Sequence, residues 1–242
     1  VWNIGITQWQ QSTLRTRLVN NEDPFLVVSQ ELPRWNKGAN GVLPGLTARR
    51  AKEVELFNQS LTSPAPTALP SDALLLKVPY YCQMDLGAEG WRYCQTASIA
   101  MCLSYLQVVG IRNESALADY AAVVARFGDT TEQASHAKAL SFLGVKARFV
   151  QDATVAQLEG ELKAGRPAAI GILHHGPTFS PQGGGHYIVV EGMTPSQWIC
   201  NDPYGELDLI NGMWCKEGGT YGKNVVYSRV HLNPRWLPQG PN

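Results

Sequence analysis

The chain has 242 residues, of which 44% are hydrophobic and 17% are charged, and its formal net charge is zero. This length accommodates one large domain, or one domain with a smaller appendage. The balanced charge gives no sign of a nucleic-acid groove, and no apolar run reaches the roughly 18 residues of a membrane span. The N-terminus lacks a secretory signal pattern and an initiator Met, so we expect a processed or trimmed chain.

The N-terminal segment predicts a small accessory module or an extension that packs on the main domain. Within it, residues 25–28 (FLVV) predict a short strand, and residues 46–61 predict a helix with Thr47 as its cap. A stretch rich in Pro, Ser and Ala follows, which is typical of a linker. The predicted division is an accessory segment at 1–62, a linker at 63–73 and a main domain at 74–242.

In the main domain the predicted helices come first and the strands cluster late. This order predicts an α+β fold, with a helical subdomain packed on a mostly antiparallel sheet. Thr154 and Gln157 form a capping box at the start of the last of four helices. Helices are expected at 96–106, 114–127, 132–143 and 155–164, and strands at 145–150, 167–173, 186–191, 197–202 and 224–230.

The five cysteines include no Cys-x-x-Cys pair, so no structural zinc site is expected, and their odd number leaves at least one thiol free or paired between chains. Cys94 stands at a predicted helix start, in WRYCQTASIAMCLS. There the helix dipole and free backbone N–H groups would stabilise a thiolate and an adjacent oxyanion. By position alone, a nucleophile and a small buried side chain both remain open for Cys94. Cys102, in the apolar interior of the same helix, is interpreted as packing.

Among the five histidines, His186 has the context expected of a general base. Three glycines precede it and an apolar strand follows, in GGGHYIVVEGM. The neighbours His174 and His175 are expected to point to opposite sides of a strand end, where one of them would line the same cleft. Surface positions are predicted for His136 and His231.

Asp202 is the candidate that orients the imidazole. It ends the strand QWICND, and Pro203 holds it in an extended conformation. A turn-forming Asp-Pro is the alternative interpretation. Asn201 is an alternative orienter, although alternation would point it to the other face of the strand. Gln83, in YYCQMD, is a candidate second donor to an oxyanion, but a lone glutamine carries no signal.

Taken together, the strings VPYYCQMDL, YCQTASIAMCLSYL, GGGHYIVVEGM and NDPYGE resemble the papain-fold cysteine peptidases related to the bacteriocin-leader (double-glycine) processing peptidases. The resemblance covers about residues 76–230. It implies a papain-like cysteine peptidase fold and a Cys-His-Asp triad. The roles that it implies are nucleophile for Cys94, general base and acid for His186, orienter for Asp202 and oxyanion donor for Gln83.

The chain departs from this family in three respects. Gln95-Thr96-Ala97 follows the cysteine where the family usually has Gly-Pro-Thr or similar, and Cys82 stands where Ser often precedes the glutamine. No transporter segments are present. Residues 127–150 resemble free-standing phage-type and cyanobacterial-type relatives, and this likeness implies a cell-wall lytic role by analogy.

The resemblance implies a cysteine endopeptidase acting on peptidoglycan peptide bonds, without cofactor or metal. We expect a peptide or peptidoglycan substrate, no nucleic-acid partner, and a virus-encoded protein that acts on the bacterial cell wall. An acyl transferase, transpeptidase or deamidase with the same triad, and an inactive peptidase-fold binding module, are the alternatives. Four aromatic residues are either cleft-lining or core: Trp91, Tyr93, Tyr187 and Trp198.

Overall fold

Contacts between residues divide the chain into two units, residues 1–69 and residues 70–242. The computed structural model describes residues 6–20, 22, 24–38, 41–62, 73–111, 114–178 and 180–237. Residues 63–72 of the predicted linker therefore lie outside the described residues. The division into accessory segment, linker and main domain stays a prediction.

The N-terminal unit is mainly helical in its described part. Its elements are α1 (Ile6–Gln10), α2 (Thr13–Val19), α3 (Pro24–Glu31), a hairpin of β1 (Lys37–Gly38) and β2 (Gly41–Val42), and α4 (Pro44–Thr62). The side chains of Leu14, Val27 and Val28 are buried in its core. Core burial therefore anchors α2 and α3, since tertiary packing supplies most of the stability of short helices.

Two predictions for this unit are wrong. Residues 25–28 belong to α3 rather than to a strand. Pro24 has the backbone angle that a first helical turn requires, and the adjacent Val27 and Val28 are both buried, which overrides the β propensity of valine. Thr47 does not cap α4, because the helix already begins at Pro44. The hydroxyl of Thr47 instead donates to the Leu43 carbonyl oxygen at 3.3 Å, one helical turn back.

The second unit follows the predicted α+β order. Its elements in chain order are β3 (Leu74–Leu75), α5 (Cys94–Tyr105), α6 (Ala116–Ala125), α7 (Gln133–Phe142), α8 (Val155–Lys163), β4 (Ala168–His175), β5 (Gln182–Met193), β6 (Gln197–Asn201), β7 (Gly205–Asp208), β8 (Met213–Glu217), β9 (Val225–Ser228) and α9 (Arg229–Trp236). The four predicted helices are all present, with ends shifted by a few residues. The capping box of Thr154 and Gln157 is also confirmed.

The long strand β5 organises an antiparallel sheet. It pairs with β4 and β3 and with β6, and β9 pairs with the far side of β6. Alternation along β5 directs Val189 into a core with α5, α6 and α7, and directs Ile188 and Val190 into a second core with α8 and α9. Helix α5 packs directly against β5. This contact sets the start of α5 beside the middle of the strand.

The strand predicted at 145–150 is wrong. These residues form no strand, and the Phe149 side chain is 55% exposed. Alternation alone does not make a strand, because a strand also needs a partner for its backbone hydrogen bonds. The sequence prediction also missed the β7–β8 hairpin and helix α9, which includes Pro234.

Candidate active site

Cys94 is the first residue of helix α5. The preceding Tyr93 makes no side-chain capping bond, so the N–H groups of the first turn are not taken up by a cap. Burial disfavours the thiolate, but a hydrogen bond to His186 and its charge outweigh that effect, with help from the backbone N–H groups of Tyr187 and Gln95. The pKa of the Cys94 thiol is therefore lowered. This is the environment of a reactive cysteine rather than of an inert one.

His186 joins Cys94 to Asp202. Its Nε2–H donates to Asp202 Oδ1 at 2.8 Å, which leaves Nδ1 as the ring nitrogen for the thiol. His186 is 4% exposed and Asp202 is fully buried. Burial alone would lower the pKa of His186, but the charge and hydrogen bond of Asp202, followed by those of Cys94, raise it to about 10. The arrangement therefore favours an ion pair between thiolate and imidazolium.

The sheet brings the histidine and the aspartate together. Val189 in β5 pairs with Asn201 in β6, so His186 lies three residues before this pair and Asp202 one residue after it. Asn201 points away from the pair: its Nδ2 donates to the Val78 carbonyl oxygen at 3.1 Å. It therefore anchors the chain segment that leads to Gln83. The adjacent side chains of Asn201 and Asp202 thus lie on opposite faces of the sheet.

Asp202 has three hydrogen-bond donors. Besides His186, the Tyr204 backbone N–H donates to Oδ1 at 3.1 Å, and the Tyr227 hydroxyl donates to Oδ2 at 3.3 Å. These bonds hold the buried carboxylate in one orientation, which fixes the ring that it contacts. Sequence reasoning missed Tyr204 and Tyr227, because nothing in the local pattern indicates that β9 delivers a tyrosine to the end of β6.

Gln83 lies beside the turn that precedes Cys94. Its Nε2 donates to the carbonyl oxygens of Gly90 at 2.9 Å and Trp91 at 3.0 Å, which engages both amide hydrogens. Its Oε1 is buried without a hydrogen-bond partner. The side chain therefore braces the turn at Gly90–Arg92 in this structure. To donate to an oxyanion, Nε2 must share or release one of these hydrogens.

Gln95, Thr96 and Ala97 follow Cys94 where the family resembled by the sequence usually has Gly-Pro-Thr. All three are buried, and the two polar side chains are hydrogen-bonded. Gln95 Nε2 donates to Gln133 Oε1 at 2.5 Å, and the hydroxyls of Thr96 and Thr130 are hydrogen-bonded to each other. The Tyr187 hydroxyl also donates to Gln133 Oε1, at 3.4 Å. The altered sequence is therefore compatible with a helix that begins at Cys94, because the loop before α7 and the first residue of α7 supply the polar partners.

Alternation predicted that His174 and His175 point to opposite sides of the strand, and this prediction is wrong. Their ring centroids are 3.9 Å apart, because the register of β4 and β5 shifts between Leu173 and His175. A Cβ on Gly184 would lie 2.8 Å from His174 Cε1, and the Gly184 backbone has a φ of +56°. Within the glycine run before His186, the central Gly184 is therefore favoured both by close packing and by backbone conformation.

Trp214, in β8, covers the side of His186. The two ring centroids are 5.0 Å apart and the ring planes are inclined by 83°. The same indole contacts His174 and Tyr204, with centroid distances of 5.8 and 4.7 Å. Sequence reasoning missed Trp214 because the β7–β8 hairpin that carries it was not predicted.

Two of the histidines predicted at the surface lie elsewhere. His136 is fully buried: its Nε2–H donates to the Thr130 carbonyl at 2.8 Å, and Tyr120 donates to Nδ1 at 3.1 Å. A polar face of the predicted helix had suggested exposure, but the loop before α7 covers that face. His231 is half-buried in α9. Neither contacts the triad.

The four aromatic candidates separate into two groups. Trp198 is fully buried in the core beside the sheet, so it is not a cleft residue. Trp91 is 62% exposed, and Tyr93 and Tyr187 are half-buried close to Cys94 in the chain or in space. These three remain available to a substrate that reaches the thiol.

Residues 75–224, more than half of the chain, match the model of the Peptidase_C39 like family. The chain belongs to this family. The match and the observed architecture confirm the predicted papain-like α+β fold class. All four candidate residues of this C39-like chain lie within the matched range: Gln83, Cys94, His186 and Asp202.

A second match covers the N-terminal unit of this C39-like chain. Residues 1–53 match the Phage lysozyme family. An endolysin of Bacillus phage PZA is 40% identical over 57 residues, which are 24% of this chain and 21% of that protein. The chain thus spans about a fifth of that relative's length. No solved structure matched the chain.

Together the family matches support a phage-type hydrolase with a peptidase or cell-wall lytic function. Within the described ranges, no helix combines the length and apolarity that crossing a membrane requires. The same part of the chain holds no cluster of three or more His, Cys, Asp or Glu side chains suited to a metal ion.

Proposed function

We propose that the chain is a cysteine endopeptidase that hydrolyses peptide bonds of bacterial peptidoglycan. The observation that carries this proposal is that His186 is hydrogen-bonded to Asp202 and interacts with Cys94, whose thiol stands at a helix N-terminus. A nucleophile, a base and a group that orients the base make up the minimal set for acyl transfer through a thioester.

In the proposed reaction, the Cys94 thiolate attacks the carbonyl carbon of the scissile bond. The C–N bond breaks as His186 gives its proton to the leaving amine, and a thioester forms. His186 then takes a proton from water, and the resulting hydroxide releases the acid and the free thiol. The Cys94 backbone N–H, together with Gln83, is proposed to stabilise the oxyanion in both steps.

Asp202 is proposed to orient His186 and to stabilise its charged form. Three donors hold the aspartate in place, so the ring presents Nδ1 to the sulfur without searching for that orientation. Restricting orientation in this way lowers the entropic part of the barrier. Trp91, which is exposed and lies three residues before Cys94 in the chain, is a proposed contact for the substrate.

Peptidoglycan is the proposed substrate because the similarities of the N-terminal unit point to the cell wall. The N-terminal unit matches the Phage lysozyme family, and the endolysin relative comes from a bacteriophage. We propose that residues 1–62 form an accessory module for the wall, that 63–73 are a linker, and that 74–242 carry the peptidase. This assignment implies a virus-encoded protein that acts on the bacterial wall.

The test is incubation of purified wild type, Cys94→Ala and Cys102→Ala with intact sacculi, with released fragments identified by mass. We expect new amino and carboxyl termini with wild type and Cys102→Ala, and none with Cys94→Ala. Products joined to an added amine would indicate acyl transfer, and loss of ammonia alone would indicate deamidation. Equal release by Cys94→Ala and wild type would refute the proposal.

A further inference from the structure

Arg235, in helix α9, donates hydrogen bonds to main-chain carbonyl oxygens. Its side chain is 2% exposed. Its Nε and Nη2 donate to the Leu209 carbonyl at 3.1 and 2.7 Å, its Nη1 to Leu173 and His175 at 2.8 and 3.3 Å, and its Nη2 to Gly176 at 2.7 Å. Five bonds match the five N–H donors of a guanidinium, so this geometry suits arginine and no other residue.

These carbonyl oxygens belong to two separate segments. Leu173, His175 and Gly176 form the end of β4, whereas Leu209 lies in the turn between β7 and β8. Arg235 therefore joins the end of β4, which pairs with β5, to a hairpin turn that does not share its sheet. A single buried side chain fixes the distance between them.

Thr178 and Gly212 also hold the end of β4 against the β7–β8 turn. The Thr178 hydroxyl donates to the Leu209 carbonyl at 2.7 Å, and its N–H donates to Ile210 at 3.0 Å. A Cβ on Gly212 would lie 2.4 Å from the Gly176 carbonyl oxygen, and the Gly212 φ is +71°. The turn thus sits directly on the end of β4, with no room for a side chain between them.

The hairpin that is held in this way carries Trp214. Its indole stands edge-to-face with His186 at a centroid distance of 5.0 Å. A ring in this position keeps water from the bond between His186 and Asp202. A hydrogen bond between charged groups is stronger where water is excluded, because the local dielectric constant is low.

We propose that Arg235 is a positioning residue that holds Trp214 over His186 by fixing the β7–β8 turn on the end of β4. The inference rests on the proposed cysteine peptidase function. Arg235 lies beyond residues 75–224, the range matched by the family model. The C-terminal helix therefore supplies part of the site that the matched family range does not contain.

The proposal concerns the proton shared between Cys94 and His186, so every ionisable group near His186 matters. His174 stays neutral above about pH 5, because burial, His175 and His186 lower its pKa to about 4. His174 therefore does not titrate within the neutral range of the pH profile. The groups that face His186 or its carboxylate are Cys94 from α5, His174 and His175 from β4, Asp202 after β6, and Tyr227 from β9.

The experiment measures the alkylation rate of Cys94 by iodoacetamide against pH in the full chain, with the modified cysteine identified by mass. Arg235→Met is expected to raise the midpoint of the Cys94 profile by about one pH unit, because water weakens the support of the imidazolium. We also expect kcat to fall by about tenfold with little change in KM. Arg229→Met is the matched control on the same helix. It loses contacts with Glu159, Gln197 and Trp198, none of which belongs to the hairpin, so its midpoint should stay at the wild-type value.

A double-variant cycle separates positioning from general destabilisation. If Arg235 acts through Trp214, Arg235→Met adds no further shift in a Trp214→Ala background, whereas independent effects would add. An additive shift, or a wild-type profile in Arg235→Met, would overturn the inference. If Arg235→Met does not fold, Thr178→Val removes one bond to Leu209 and should give a smaller shift in the same direction. An unchanged profile in that variant would also count against the inference.

The same measurement distinguishes the two proposals. It needs no substrate, so it is independent of the assumed cleavage site. A wild-type Cys94 midpoint near that of a free thiol, about 8.5, would count against the proposed peptidase function itself. A low wild-type midpoint that Arg235→Met and Thr178→Val leave unchanged would overturn only the role of Arg235.

Discussion

The two ends of helix α5 place thiols in opposite environments. Cys94 begins the helix beside a histidine that is bonded to a carboxylate, and its pKa is lowered. Cys102, two turns further on, is surrounded by protein atoms and lies near Glu191, and its pKa is raised to about 12. Both residues are half-buried, and burial opposes the thiolate at both, so burial does not distinguish them. The sign of the neighbouring charge does.

The same contrast separates two buried histidines. Burial lowers the pKa of His136, which faces a hydroxyl and a carbonyl. Burial also acts on His186, but a carboxylate and a thiolate reverse the direction. A buried histidine or cysteine is therefore a candidate for chemistry only where a group of opposite charge shares its site. Variants of these groups test the comparison.

Replacing His186 should have the largest effect. We expect His186→Ala to lower kcat/KM by roughly 10⁴-fold or more, because the thiol loses its base and the leaving amine loses its proton donor. The measurement is peptide release from sacculi per folded molecule. The matched control is His136→Gln, which removes the other buried imidazole. An equal loss in the two variants would mean that both act through folding, contrary to the comparison.

Replacing Asp202 tests the source of the charge. We expect wild-type kcat/KM to rise with pH as Cys94 ionises and to fall as His186 loses its proton, near its pKa of about 10. Asp202 raises the pKa of His186, so Asp202→Asn should move the alkaline limb to lower pH and reduce kcat/KM by roughly 10²–10⁴-fold. Tyr227→Phe, which removes one 3.3 Å bond to the carboxylate, should shift the limb less and in the same direction. An unmoved limb in Asp202→Asn would contradict the assignment.

Replacing Gln83 asks whether it acts on the oxyanion or on the turn. If Nε2 donates to the oxyanion, Gln83→Ala should lower kcat by about 10²–10³-fold with little change in KM. Gln83→Glu keeps the size and removes the donors, so it should match that loss. Thermal unfolding measured in parallel reports the bracing of the turn at Gly90–Arg92. A lower Tm with wild-type kcat would assign Gln83 a structural role alone.

Replacing Glu191, the carboxyl near Cys102, tests the second thiol environment of the comparison. We expect this replacement to have the smallest effect of the four. Burial raises the pKa of this carboxyl to about 7, only partly offset by the Val78 N–H. The folded protein therefore loses stability as pH rises from about 4.5 to about 7, where the buried group must ionise. Urea unfolding of Glu191→Gln should show a gain over wild type that grows by about 1–3 kcal/mol from about pH 4 to about pH 8. A constant difference across this range would mean that the carboxyl does not titrate on folding.

The local pattern determined much of the architecture. The capping box at Thr154, the glycines that end the helices and the apolar runs of β5 and β6 act through neighbouring residues, so the main-domain helices and the central strands were predictable. The strands at 25–28 and 145–150 were wrong for a different reason. The short apolar run suggested the first strand and alternation suggested the second. Core burial made the first helical, and the second has no strand beside it in the described part of the chain.

The candidate site divides in the same way. Cys94 begins α5 and Asp202 directly follows β6, and local patterns identified both as candidates. The glycines before His186 marked the third candidate, although β5 begins four residues before it. Only the tertiary structure decided what surrounds them: Tyr227 on Asp202, Trp214 over His186, and Arg235 behind the hairpin. Such contacts join residues far apart in the chain. They depend on which strand edges pair and which turns dock, and a local pattern does not encode that.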